Sequence, residues 1–154
     1  WVPVTEGRLR AELLGGRVIL AGRTDLALGR PEGTTARKVI IDLKTGGFSA
    51  AHLDDLRFYA LIETLRLGTP PRLMASYYLD AGRAQPEAVT EGVLRAAAAR
   101  TVDGARTLHQ LTVGTRAPTA RPGHGCRWCP ALATCQVGRA HLGHDEDASP
   151  FDAD

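Results

Sequence analysis

The sequence predicts an α/β domain in which helices flank a mixed β-sheet. Three strand-like segments come first, and two long segments with apolar residues at helical spacing follow, separated by another strand. The chain has 154 residues, of which 44% are hydrophobic and 23% charged, so it suits a globular domain with its own core. No apolar run reaches membrane-spanning length and no signal peptide is visible. We therefore expect a cytoplasmic protein that does not contact a membrane.

The first third of the chain predicts a meander of three strands. The expected elements are a lead-in at 1–6, strands at 8–14, 17–25 and 37–44, and a loop at 29–36. The pair Gly15-Gly16 suits a tight hairpin turn between the first two strands. Gly22 permits a close backbone approach just before Asp25.

Two helices are predicted in the remainder. Ser49 is a suitable N-cap for a helix that ends near Leu67, with Gly68 as its stop signal. A strand at 72–80 follows, and Thr90 then caps a second long helix.

The domain is expected to extend over residues 1–143 and to include a cysteine-containing segment at 116–141. Residues 144–154 are acidic and small, which predicts a mobile, solvated tail. Because the chain opens with Trp1 and its one methionine is Met74, we expect the domain to be incomplete at its N-terminus.

The third predicted strand ends in two charged residues. Asp42 and Lys44 are two positions apart, so their side chains share one face of the strand. Asp25 closes the strand before them. Two carboxylates can hold a hard divalent cation, and a neighbouring lysine can orient water or stabilise negative charge. The pattern favours metal-assisted attack on a phosphodiester.

The simpler interpretation is that Asp42 and Lys44 are solvated charges, because Asp-x-Lys alone is a weak signal. Composition argues against it, since the chain has only two lysines, Lys38 and Lys44.

All three cysteines fall close together at Cys126, Cys129 and Cys135. This spacing suits thiolate ligands of one metal ion or cluster. An odd count and a cytoplasmic setting disfavour a disulfide. Three unligated thiols remain the simpler alternative.

The residues Gly22-Arg23-Thr24-Asp25 and Ile41-Asp42-Leu43-Lys44-Thr45-Gly46 resemble motifs of the RecB-like branch of the PD-(D/E)XK nuclease superfamily, which includes the RecB and AddB nuclease domains and CRISPR-adaptation nucleases. The resemblance implies a restriction-endonuclease-like fold. It also implies that Asp25, Asp42 and the Leu43 carbonyl coordinate Mg²⁺ or Mn²⁺, while Lys44 serves the attacking water.

The same resemblance extends to the following helix. There the family carries Gln-x-x-x-Tyr, and this chain has Asp55 and Tyr59 at the matching positions. Tyr59 is thus a candidate catalytic residue. Asp55 departs from glutamine and adds negative charge, so it is a candidate accessory residue, as is Glu6. The alternative makes Tyr59 a core aromatic and Asp55 an acid favoured by the helix dipole.

For the cysteines, the resemblance implies a [4Fe–4S] cluster bound by Cys126, Cys129, Cys135 and a fourth cysteine that this chain lacks. A zinc site that adds His124 is the alternative. Either would act as a structural staple.

The expected function is that of a metal-dependent deoxyribonuclease, an exonuclease acting on DNA ends or on single strands supplied by a helicase, in DNA repair or recombination. The main alternative is a nuclease-fold DNA-binding or scaffolding module without catalytic activity. A zinc-stapled protein-interaction domain is a third hypothesis.

Overall fold

The computed structural model describes residues 2–30, 32–33 and 35–147, and side chains as far as residue 143. The chain divides into two compact units, residues 1–106 and 107–154. The elements are β1 (Pro3–Leu13), β2 (Val18–Leu28), β3 (Val39–Lys44), α1 (Ala50–Leu67), β4 (Leu73–Tyr78), β5 (Arg83–Ala88), α2 (Glu91–Thr112), a 3₁₀ helix (His124–Trp128) and α3 (Gln136–Asp147).

The first unit is built on a five-stranded sheet in the order β1-β2-β3-β4-β5. Strands β3 and β4 are parallel, and the other neighbours are antiparallel. A parallel pair needs a crossover connection, and α1 supplies it. The predicted mixed α/β fold with flanking helices is confirmed.

Helix α1 begins and ends where the sequence predicts. The Ser49 hydroxyl accepts a hydrogen bond from the Ala51 amide at 3.3 Å, and Gly68 adopts a left-handed conformation with φ of 70°. The side of α1 that faces the sheet buries Leu56, Ala60 and Ile62. Two core clusters form there, and the partly buried Tyr59 ring packs against both of them.

Three elements differ from the sequence-based expectation. The lead-in at 1–6 is wrong, because Pro3 to Thr5 pair with β2 and extend β1. Strand β5 was not predicted; it is an edge strand, and an edge position tolerates Pro86. Helix α3 continues to Asp147, whereas the tail was expected to begin at residue 144. The helix extends into this segment because lengthening a formed helix costs much less than starting one. The rest of that tail, 148–154, lies outside the described residues.

The second unit contains the end of α2, the 3₁₀ helix and α3. Among the helices that the structure describes, none combines the length and apolar character needed to cross a bilayer.

Candidate active site

The end of β3 carries a buried acid next to a lysine. Asp42 is 6% exposed, and Lys44 Nζ lies 2.7 Å from Asp42 Oδ2. Ile40, on the same face of β3, packs with Leu56 of α1, so Asp42 and Lys44 face the helix as well. Asp42 and Lys44 therefore share one face of β3, as predicted.

Asp25 is fixed to the backbone of the same strand. Its Oδ2 accepts a hydrogen bond of 2.7 Å from the amide of Leu43, the residue between Asp42 and Lys44. The antiparallel pairing Leu26↔Ile41 brings the two strands together at this point. Two carboxylates from separate strands therefore meet around one peptide unit.

Helix α1 adds two further side chains near the end of β3, those of Asp55 and Tyr59. Asp55 Oδ2 lies 3.9 Å from Lys44 Nζ. Burial raises the pKa of the Tyr59 phenol above its ordinary value, and the negative charges of Asp42, Asp55 and Asp25 raise it further. Since all three carboxylates act on one hydroxyl, the residues predicted from separate segments converge on one location.

Gly22 explains how Tyr59 reaches this position. A Cβ atom on Gly22 would lie 2.7 Å from Tyr59 Cε1, closer than two carbon atoms tolerate. Because Gly22 has no side chain, the Tyr59 ring can pack directly on the backbone of β2. The predicted close approach at Gly22 is made by this ring.

The donor set fits a hard divalent cation. Asp42 Oδ2 is buried, and among the described residues its ion pair with Lys44 at 2.7 Å is its one polar contact. A buried carboxylate oxygen with a free lone pair is costly unless a cation or donor satisfies it. Carboxylate and carbonyl oxygens are the ligands that Mg²⁺ and Mn²⁺ prefer.

Lys44 responds to the same charges. The close contact with the Asp42 carboxylate raises the pKa of its ammonium group, against the opposing effect of burial, and Asp55 raises it further. Lys44 is therefore a cation at neutral pH in the metal-free protein.

Glu6 lies across from Asp25 on the neighbouring strand, between the pairs Thr5↔Leu26 and Gly7↔Thr24. Its backbone has a φ of 51°, and its carboxylate forms an ion pair of 2.9 Å with Arg23. The accessory role suggested for Glu6 stays a prediction.

The parallel pairing of β3 with β4 places Ser76 and Tyr78 beside the site, although neither residue was predicted to have a role. Ser76 is the partner of Asp42 and Tyr78 the partner of Lys44. Ser76 is fully buried, and within the described chain its hydroxyl has no hydrogen-bond partner. The Tyr78 hydroxyl lies 3.1 Å from His52 Nδ1. A serine in an otherwise apolar strand was the available signal.

The cysteines lie in the second unit as free thiols. Cys126 Sγ accepts a hydrogen bond from the Gly123 amide at 3.4 Å, and Cys135 Sγ accepts one from the Gly138 amide at 3.3 Å. His124 packs edge-on against Trp128.

Both Cys126 and Cys135 sulfurs lie within 4 Å of the Cβ position at Gly138. No three His, Cys, Asp or Glu side chains in the described part of the chain are arranged as a metal-binding group. The iron–sulfur and zinc hypotheses for this segment stay predictions.

The sequence matches the family model of the PD-(D/E)XK nuclease superfamily over residues 2–136. The chain belongs to this superfamily. Its members generally use divalent metal ions, in keeping with the carboxylates at the end of β3. A comparison with curated protein sequences finds no match.

Solved structures show the same fold. The crystal structure titled SSO0001 aligns with a TM-score of 0.50 and 16% identity, covering 88% of this chain. The chain spans about 61% of the length of that structure. At this identity the similarity concerns the fold alone and says nothing of substrate.

Proposed function

We propose that the protein is a metal-dependent deoxyribonuclease. The observation that carries the proposal is the environment of the buried Asp42 carboxylate. Lys44 Nζ lies 2.7 Å from it, and the carboxylate of Asp25 accepts a hydrogen bond from the amide of the next residue, Leu43. Membership of a nuclease superfamily supports the same reaction class.

Asp25, Asp42 and the Leu43 carbonyl would hold Mg²⁺ or Mn²⁺. When bound, the cation supplies Lewis-acid chemistry and makes a coordinated water more acidic. The Lys44 ammonium donates hydrogen bonds to the attacking water and stabilises negative charge on the phosphoryl oxygens. Tyr59, whose phenol stays protonated beside the carboxylates, is placed to donate to a phosphate oxygen.

We further propose that the substrate is a DNA end or a single strand, that the action is exonucleolytic and serves repair or recombination, and that a helicase domain or subunit supplies the strand. The resemblance of the Gly22–Asp25 and Ile41–Gly46 motifs to RecB and AddB nucleases supports this assignment. The cysteines would bind a [4Fe–4S] cluster, or zinc with His124. A brown preparation containing iron and sulfide would favour the cluster, and a colourless one containing zinc would favour the alternative.

The test is degradation of labelled single- and double-stranded DNA with Mg²⁺ or Mn²⁺ by the unmodified protein and by Lys44→Ala. Removing an electrostatic stabiliser of the transition state costs about 10²- to 10³-fold in rate. Arg10→Ala is the matched control, because it removes the same charge from an exposed site on β1. We expect it to cut at nearly the unmodified rate.

Equal rates for Lys44→Ala and the unmodified protein would exclude Lys44 from the mechanism. If the unmodified protein binds DNA but does not cut it with either metal, the DNA-binding module is favoured instead. The observation that favours this second function is Asp55, which stands where the family carries Gln and places a negative charge 3.9 Å from Lys44 Nζ.

A further inference from the structure

Phe48 follows β3 in the loop that leaves the candidate active site. It is 63% exposed, although it is one of only three phenylalanines in the chain. Most of the free energy available from burying such a ring is therefore not used in folding. Exposure alone does not assign a function, but the position of this ring is fixed relative to Lys44.

The Phe48 ring packs against the Tyr78 ring at a centroid distance of 6.1 Å. Tyr78 is 5% exposed, and its hydroxyl lies 3.1 Å from His52 Nδ1. In the sheet it is the register partner of Lys44. Phe48 is thus supported by a buried residue that lies next to the lysine on the neighbouring strand.

The backbone on either side of Phe48 is also held. The Gly46 amide donates a hydrogen bond of 2.6 Å to Asp80 Oδ2 beyond β4. Ser49 caps α1 through its side chain, and its carbonyl accepts from the His52 amide at 3.1 Å. An exposed aromatic ring anchored in this way loses little conformational entropy when a ligand stacks on it.

We propose that Phe48 is a stacking site for an unpaired nucleobase of the strand whose phosphate lies at Lys44. The inference rests on the proposed nuclease function and names its substrate as single-stranded nucleic acid. A polynucleotide presents flat aromatic rings next to phosphate groups, and the site pairs an exposed aromatic ring with a cationic ammonium. Bases in a duplex are already stacked and paired, so only an unpaired base offers a free face to Phe48.

The expected size of the effect follows from measured stacking on aromatic side chains. Removing one stacking ring weakens the binding of single-stranded DNA by roughly 5- to 150-fold. Affinity for blunt duplex DNA is expected to change much less. Phe48→Tyr keeps the ring and should retain the affinity of the unmodified protein.

The experiment measures the anisotropy of a labelled oligothymidylate with Ca²⁺ in place of Mg²⁺, using the full chain and its Phe48→Ala and Phe48→Tyr variants. A second oligonucleotide carries abasic residues. We expect Phe48→Ala to weaken binding of the normal strand and to leave binding of the abasic strand unchanged. Leu14→Ala is the matched control, because it removes another apolar side chain, 76% exposed, in the hairpin turn between β1 and β2.

A second readout uses Phe48→Trp, whose fluorescence is expected to be quenched by the normal strand and not by the abasic one. Equal binding of the normal strand by Phe48→Ala and the unmodified protein would overturn the proposal. Equal losses for the normal and abasic strands would overturn it too, because Phe48 would then support the loop without stacking on a base.

Cleavage assays with Mg²⁺ distinguish the two proposals. If the unmodified protein neither binds nor cuts DNA, the proposed function fails. If it cuts and Phe48→Ala cuts single strands equally well at low substrate concentration, only the stacking site fails. A Phe48 face that served a protein partner would give this second result.

Discussion

Of the two lysines of the chain, Lys38 directly precedes the first residue of β3 and Lys44 is its last residue. Each contacts a buried carboxylate. Lys38 forms an ion pair with Glu63 of α1, whose side chain is fully buried, whereas Lys44 forms one with Asp42. The surroundings of these two pairs differ in sign, and this difference separates a pair that supports the fold from one that fits a reaction.

At Lys38 positive charge is in excess, since Arg66 also lies 3.5 Å from Glu63 Oε2. At Lys44 negative charge is in excess, since Asp55 lies nearby and Asp25 joins Asp42 in acting on Tyr59. Two cations of the protein therefore balance the charge of the first buried acid, although Glu63 Oε2, like Asp42 Oδ2, has no hydrogen-bond partner among the described residues. The second is compensated only in part, which is the state expected of a site that binds a cation.

The largest predicted effect concerns the fold-supporting pair. Lys38→Met leaves the Glu63 carboxylate with Arg66 alone, and breaking a buried ion pair typically costs about 3–5 kcal/mol. Urea unfolding followed by circular dichroism measures this loss.

The double variant Lys38→Met with Glu63→Gln removes the uncompensated charge and should recover part of the stability. A single variant that unfolds like the unmodified protein would show that the Lys38–Glu63 contact does not stabilise the fold.

The second prediction concerns the Asp42 side of the comparison. A cation that binds only the folded state raises the free energy of unfolding by about 2.7 kcal/mol at 100 times its dissociation constant. We expect Mn²⁺ to raise the melting temperature of the unmodified protein and not that of Asp42→Asn.

Glu63→Gln is the matched control, because it neutralises the other buried carboxylate of the same unit. Each variant is compared with itself without metal, and Glu63→Gln should keep the Mn²⁺ effect. The same shift in Asp42→Asn would place the cation elsewhere.

The third prediction tests the support of Tyr59 over the carboxylates. Gly22→Ala would bring a methyl group within 2.9 Å of two Tyr59 ring atoms, and overpacking of this kind typically costs about 1–3 kcal/mol. Thermal unfolding measures the loss, and cleavage rates should fall as the phenol is displaced.

Gly104→Ala in α2 is the control, since a Cβ atom there meets nothing within 4 Å. It should stabilise the helix by about 0.5–1 kcal/mol. A Gly22→Ala variant as stable and as active as the unmodified protein would mean that the ring adjusts without cost.

Local sequence patterns predicted the parts of this comparison that depend on neighbouring residues. The two-residue repeat of a strand placed Asp42 and Lys44 on one face, and the capping residues Ser49 and Gly68 located the ends of α1. These features depend on residues that are close together in the sequence, so a local pattern is enough to predict them.

Features that depend on distant pairing were not predictable in the same way. Lys38 and Glu63 are 25 positions apart, and no periodicity links them. Strand β5 pairs with the edge of β4, although it contains Pro86 and Glu87, which are unfavourable in strands. The burial of Ser76 beside Asp42 likewise follows from the register of β3 with β4.

The smallest predicted effect is a dependence of stability on pH at the Lys44 end of β3. The pKa of Lys44 is raised mainly by its contact with Asp42, and the pKa of Tyr59 is raised mainly by burial. Both groups therefore bind their protons more tightly in the folded chain than in the unfolded chain. Their stabilising contribution is complete below about pH 10 and is lost as the pH rises through the raised values.

In urea unfolding with EDTA, the free energy of unfolding should accordingly fall above about pH 10. The fall should be shallower in the double variant Lys44→Met with Tyr59→Phe, because neither of its new side chains titrates. Leu14→Ala should keep the unmodified slope. If the double variant had the same slope as the unmodified protein, neither proton would be held more tightly by folding, and the charge excess would not distinguish the two ends of β3.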